Sequence, residues 1–228
     1  ALLQEMDGLV SELSDLQKGV ARHVRLFAGT AAINQFLPPL MAEYTHLHPE
    51  VQIDLEEQVS EHVVQALREG RADVGVFVEG PDTDGLEVKD FRQDELVLIL
   101  PKRHALVGKS ALTFADALDE SWVSLNPGAA LLQQQQSAAM AAGRTLKLRM
   151  QVRSFDAVGH MVASGLGIAL LPKLAALPIV RAMQLSWRPL KDEWAFRQLK
   201  VGIRKEADAG VTDFRDFLHT PSQNAKAA

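Results

Sequence analysis

Cysteine is absent from this chain of 228 residues. Its absence excludes disulfide bridges and thiolate metal sites, and it fits a reducing compartment such as the cytoplasm, where the protein is expected. A basic surplus is missing as well: 24 Lys and Arg face 29 Asp and Glu, for a net charge of −5. A chain that grips DNA backbone by itself normally carries the opposite balance, so duplex DNA is not expected as a direct partner. No apolar run reaches the ~18 residues of a membrane helix, and the N-terminus lacks a basic-then-apolar signal pattern. No membrane partner is therefore expected. The sequence opens at Ala1 rather than Met, as a processed protein or a cut segment would.

The motifs of common chemistries are missing too. There is no P-loop and no Gly-x-Ser-x-Gly elbow. Gly165-Leu166-Gly167 lacks the third glycine of a dinucleotide site and follows a helical pattern where that site needs a strand. His46 and His48 could share a metal, but three or four ligands are normally required and no third is in view. Asp82 and Asp84 resemble half of a calcium loop whose remaining ligands are absent, and a solvated turn explains them better. The chain is expected to be neither an enzyme nor a holder of a metal or cofactor.

What the sequence does contain is repeated α/β architecture. With 47% hydrophobic residues it can bury a substantial core, and its length suits one large domain or two lobes. Val158 to Pro172 organises the reading. Met161, Val162 and Leu166 have helical spacing, Gly165 stops the helix, and Ile168 to Leu171 is an apolar run closed by Pro172, as in a doubly buried strand. Val63 to Val78 repeats the device, with a stop at Glu69-Gly70 and a strand over Ala72 to Val78. Two such units predict two similar lobes with a working groove between them.

The remaining elements fit that plan. Leu2, Met6, Leu9, Leu13, Leu16 and Val20 recur at steps of four and three, a heptad seam. They predict a helix that either lies on its own domain or pairs with another chain. Val24 to Ala28 is a strand, followed by a helix to about Thr45 that Pro38-Pro39 should bend or restart. Val51 to Glu57 is a strand with Val51, Ile53 and Leu55 on one face, and Ser60 is expected to cap the next helix. This β-α-β-α-β order predicts a parallel sheet. Glu95 to Pro101 reads as a crossing into the second lobe, Thr113 to Leu118 as a short helix, and Trp122 to Leu125 as a strand. A helix over Ala130 to Ala142, a half-exposed strand over Leu146 to Val152, and a helix capped by Ser154 or Asp156 follow. After Pro172 a short apolar turn is expected, Ile179 to Leu185. Trp187 to Trp194 has no assignment. Leu199 to Ile203 is a strand returning to the first lobe, and Thr212 to Leu218 a last helix.

Binding chemistry is expected at the strand-to-helix turns. These are Gly29-Thr30-Ala31, Val59-Ser60, Asn126-Pro127-Gly128 and Arg153-Ser154-Phe155. In an open sheet such turns gather at the carboxyl ends of the strands, and each offers unpaired backbone amides at a helix N-terminus, a cradle for an anion. Thr30, Ser60 and Ser154 add hydroxyls, which could equally be simple caps.

Several segments together carry a family resemblance. They are Val24-Arg-Leu-Phe-Ala, Phe36-Leu-Pro-Pro-Leu, His48-Pro, Gly70-Arg-Ala-Asp-Val-Gly-Val, Leu96-Val-Leu-Ile-Leu-Pro and Ala163-Ser-Gly-Leu-Gly-Ile-Ala-Leu-Leu-Pro. From about residue 20 to 219 the chain resembles the effector-binding part of LysR-type transcriptional regulators. The resemblance implies an α/β fold of the type II periplasmic-binding-protein kind, with two lobes joined by two crossing strands and a small effector in the cleft. It implies a linker helix at 1–19, a first lobe at 20–94 plus 200–219, a second lobe at 95–199 and a frayed tail at 220–228. DNA would be reached only through a winged helix-turn-helix that this sequence lacks. Pairing into a homo-oligomer through the helices after Thr30 and Ser60 is also implied. By position, Gly29, Thr30, Ala31, Ala32, Val59, Ser60, Phe77, Val78 and Asn126 look like effector-contacting positions. Ala31 and Ala32 stand where many members carry another hydroxyl or polar residue, which bears on the effector's polarity. Two other readings share this architecture: a solute-binding protein of a transporter, and an enzyme such as a deaminase or dehydratase.

Overall fold

The computed structural model describes residues 22–220. The heptad helix expected over residues 2–20, and the tail after residue 220, lie outside the described residues.

The first lobe begins with three parallel strands in the order β2-β1-β3: β1 (Arg22–Ala28), β2 (Val51–Glu57) and β3 (Val74–Val78). Between β1 and β2 the expected single helix is two, α1 (Thr30–Gln35) and α2 (Leu37–Leu47), broken at Phe36. Pro38 and Pro39 fall in the first turn of α2, where a missing N–H costs no helical hydrogen bond. α3 (Ser60–Arg68) links β2 to β3 and buries Val63, Val64, Ala66 and Leu67. The strand period of two divides the sheet's faces. Leu26 packs with Leu37, Leu40 and Phe214 on one side, while Phe27 and Phe77 pack under α3 on the other. Each such buried Leu or Phe contributes about 1.5–3 kcal/mol. A Cβ on Gly75 would come within 2.6 Å of Val63, so glycine lets α3 lie close to the sheet here.

Two long antiparallel strands complete this sheet and carry it onward. β4 (Leu86–Pro101) and β9 (Phe196–Arg204) pair from Leu86–Arg204 to Glu95–Phe196, and β9 also pairs with β3. Beyond Glu95, β4 pairs instead with β7 (Ala169–Pro172) and β8 (Leu185–Pro189). The chain therefore crosses between lobes on β4 and β9, where Asp94 faces Arg197. The last helix, α7 (Ala209–His219), packs back on the first lobe, with Asp208 accepting the Val211 N–H at 2.9 Å.

The second lobe repeats the plan. β5 (Trp122–Leu125) and β6 (Leu148–Val152) pair in parallel across α4 (Ala130–Ala141). α5 (Phe155–Ala163) leads to β7, which touches β5 through one parallel bridge, Trp122–Ile168. In both lobes a helix ends in a positive-φ glycine, Gly70 at 71° and Gly165 at 78°, ahead of a wholly buried strand. That conformation penalises any residue with a Cβ, so the two glycines mark equivalent corners. Leu96 to Leu100, Trp122, Phe155 and Leu170 belong to a core separate from that of the first lobe.

Some expectations change. The sheet is mixed rather than parallel, because β4 and β9 run antiparallel to their neighbours. On the face that Val51, Ile53 and Leu55 share, the first two are half-buried and Leu55 is exposed. The apolar stretch after Pro172 is mostly a helix, α6 (Lys173–Ala182), whose buried Ala175, Ala176 and Ile179 hold it despite Pro178. The unassigned Trp187–Trp194 segment contributes to β8 and a 3₁₀ turn at Glu193–Ala195. Ser60 does not cap α3: Val59 takes the cap position, and the Ser60 hydroxyl accepts the Val78 N–H at 3.2 Å. The end of β3 competes successfully for that oxygen. Ser154, in contrast, does cap α5, accepting the Ala157 N–H at 3.1 Å.

Candidate functional site

Between the lobes lies a cavity of about 190 Å³. Its walls come from the carboxyl ends of strands and the first turns of helices, as open α/β sheets dictate. From the first lobe it receives Gly29, Thr30 and Ala31 after β1, Glu57 to Ser60 after β2, and Val78 at the end of β3. From the second come Leu125 and Asn126 after β5, Ala129 to Leu131 opening α4, Phe155 opening α5 and Pro172 closing β7. Arg197, on the crossing strand β9, also lines it.

Of the turn residues expected to converge, Gly29, Thr30, Ala31, Val59, Ser60, Val78, Asn126 and Phe155 all face this one cavity. Six others lie outside its lining. Ala32 is turned into the first-lobe core, and Phe77 points to the opposite face of β3 from Val78, under α3. Pro127, Arg153 and Ser154 are exposed. Gly128 lies against Val59 at the rim, where an added Cβ would meet that side chain at 3.7 Å.

The polar groups differ in how fully they are engaged. Thr30, at the first helical position of α1, donates its hydroxyl to Glu57 Oε1 at 2.8 Å. Asn126 makes only a long contact to the Pro127 carbonyl, at 3.5 Å. Ser60 is buried and fixed by Val78. Amides of the first turns of α3 and α4 have no intrahelical acceptor, as at any helix start.

The strongest electrostatic feature is one that sequence reading missed. Arg197 grips Asp94 with two bonds, Nε to Oδ1 at 2.8 Å and Nη2 to Oδ2 at 2.6 Å. Both side chains are almost entirely buried, at 3% and 0% exposure. The amide of Gln35 on α1 donates to the same carboxylate at 2.9 Å, and Gln134 Oε1 on α4 accepts from Arg197 at 3.2 Å. The network thus ties the crossing strands to one helix of each lobe. Asp94 and Arg197 lie 103 residues apart, and nothing local in the sequence marks them as partners.

A more open hollow of about 500 Å³ shares Ser60, Val78 and Ala130 and continues along α4 to Trp194. Gln133 reaches across it to Glu61 at 3.3 Å. Among the described residues no group of three or more His, Asp or Glu could hold a metal; His48 instead meets Glu50 at 3.5 Å and stacks near Tyr44. No helix among them is long and apolar enough to cross a membrane.

Comparison with known proteins follows the same lines. The family model described as "LysR substrate binding domain" matches residues 17–221. A curated relative, "Probable HTH-type transcriptional regulator LrrA" of Synechococcus elongatus, is 32% identical over 179 residues, covering 78% of this chain and 60% of its own. The "RuBisCO operon transcriptional regulator" of Allochromatium vinosum is 29% identical over 74% of this chain and 55% of its own. The chain thus spans little more than half the length of these relatives, both named as transcriptional regulators. Among solved structures, the regulatory domain of CcmR from Synechocystis PCC6803, in complex with 2-PG, superposes with a TM-score of 0.80. It has 21% identity, and the match covers 90% of this chain and 99% of that one. The effector-binding domain of QuiR, in complex with shikimate, gives 0.75 at 16% identity, covering 86% and 94%. Such likenesses show the fold.

Proposed function

Because the chain belongs to the LysR substrate-binding domain family, we propose that it is the effector-sensing part of a cytoplasmic transcription regulator, with a small organic anion as effector in the inter-lobe cavity. One observation carries the reading: turns from both lobes converge on a single cavity that the buried Arg197 also lines. A ligand touching both lobes at once stabilises their closed arrangement by its differential affinity for it. The related regulators whose domains were solved with 2-PG or shikimate support the anionic class. DNA would be engaged by a separate part of the whole regulator. The bonus of hydrogen bonding to a charged ligand is about 1.5–3 kcal/mol per bond, so two or three bonds reach micromolar to millimolar affinity after the costs of association.

Asn126 tests this directly, because its side chain is nearly free and serves no core. Asn126→Ala is expected to weaken effector binding about ten- to hundredfold by the loss of one such bond, with thermal stability unchanged. Mass spectrometry of the natively purified protein would identify the effector, and calorimetry on both forms would measure it. Equal affinities would remove Asn126 from the site, and a cationic ligand would overturn the anionic reading.

Self-association is part of the same proposal. In the sequence, Leu2, Met6, Leu9, Leu13, Leu16 and Val20 recur at steps of four and three, the heptad pattern of chains that pair, so the chain is expected to sediment as a dimer or larger. Monomer alone at high micromolar concentration would contradict it.

A further inference from the structure

Among the described residues only two charged side chains line the inter-lobe cavity, Arg197 and Glu57, and they are not equivalent. The charge of Arg197 is balanced by Asp94, and three of its N–H groups are spent on Asp94 and Gln134. A guanidinium carries five, so two remain. Glu57 ends β2, is exposed, and accepts one bond from Thr30. Among the described residues it has no cationic partner. Its second oxygen is an acceptor without a donor, and a carboxylate can take about four in all. An anion offering only acceptors would be repelled by Glu57, whose charge Thr30 and water only partly screen, in a cavity of about 190 Å³, smaller than the usual drug-sized pocket of about 300–1,000 Å³.

Resting on the reading of this cavity as the effector site, we infer that its effector is a small acid with a hydrogen-bond donor close to the acidic group. The donor, an ammonium or a hydroxyl, meets Glu57. The acidic group lies toward Arg197, Ser60 and Asn126. Glu57 is then the specificity-determining residue: it selects for a donor and rejects a second acid group at its end of the cavity.

Matched probes decide the point: propionate, L-lactate, L-alanine and malonate, titrated at millimolar concentration into the wild type and Glu57→Gln. The substitution keeps the shape of an exposed side chain, so folding is not at risk, and it removes the charge. The wild type is expected to bind lactate or alanine about tenfold more tightly than propionate, the effect of one bond to a charged group, and to bind malonate more weakly than either. In Glu57→Gln the preference should collapse and malonate should gain. Propionate or malonate binding the wild type as tightly as the donor-bearing acids would overturn the selectivity while leaving the anion site standing. So would a preference that survives Glu57→Gln. No binding by any of the four would overturn both the selectivity and the anion site.

Discussion

Asp94→Ala is expected to lower stability by about 3–5 kcal/mol, because it leaves the Arg197 guanidinium buried without its counter-charge. At about 2–4 °C per kcal/mol for a domain of this size, the unfolding midpoint should fall by about 6–20 °C. Arg197→Ala strands the carboxylate instead and should cost a similar amount. Gln35 and Gln134 cannot make up the loss: an amide can donate to Asp94 or accept from Arg197, yet it carries no charge. The decisive comparison is the double variant Asp94→Leu/Arg197→Met. Burying two charges is itself costly, so apolar replacement of both partners is expected to restore most of the stability. Thermal unfolding of the wild type, Asp94→Leu, Arg197→Met and the double variant that combines them gives the coupling energy directly. Additive losses would mean that the two side chains act independently, against the bidentate geometry observed.

The same cycle bears on sensing. The pair sits where β4 and β9 pass between the lobes, and its amide partners come from α1 and α4. A double variant that is stable yet binds effector poorly would place the value of this costly pair in fixing the geometry of the cavity. One that binds normally would leave it a purely structural link.

The fold was largely legible because its signals are local. The restart at Pro38-Pro39, the stops at Gly70 and Gly165 and the alternating run into β6 are each written within a few neighbouring residues. The helix α6 was hidden by Pro178, whose cost is outweighed by the burial of Ala175, Ala176 and Ile179 against a core that only the folded chain assembles. At the cavity the turns could be placed because strand ends gather in any open sheet. Side-chain direction could not. Phe77 and Val78 are neighbours on β3 and face opposite ways, and the hydroxyl of Ser60 was taken by a strand end 18 residues on. Arg197 and Glu57 went unread for the same reason. Their importance comes from what faces them, and the facing groups lie on other elements.

Gly167→Ala should cost about 3 kcal/mol, the upper end of overpacking effects, although the backbone conformation there suits any residue. The argument rests on close approach. A Cβ at Gly167 would lie 2.4 Å from the Ser121 carbonyl oxygen and 2.9 Å from its carbon. Both are backbone atoms that cannot rotate away. The same carbonyl accepts the Ile168 N–H at 2.9 Å, and Val123 donates to the Ile168 carbonyl at 2.9 Å, so the clash pries apart the only bridge joining β5 to β7. Trp122, itself a partner in that bridge, and Phe114, its fully buried neighbour with ring centroids 5.1 Å apart, would lose their packing. Gly165 supplies the control. It has a positive φ of 78° but open space around it, so Gly165→Ala pays only the left-handed penalty of about 1–2 kcal/mol. Denaturant unfolding of the two variants should therefore rank Gly167→Ala below Gly165→Ala. The reverse order would mean that β7 can shift from β5 at little cost and that the second lobe is looser than its packing implies.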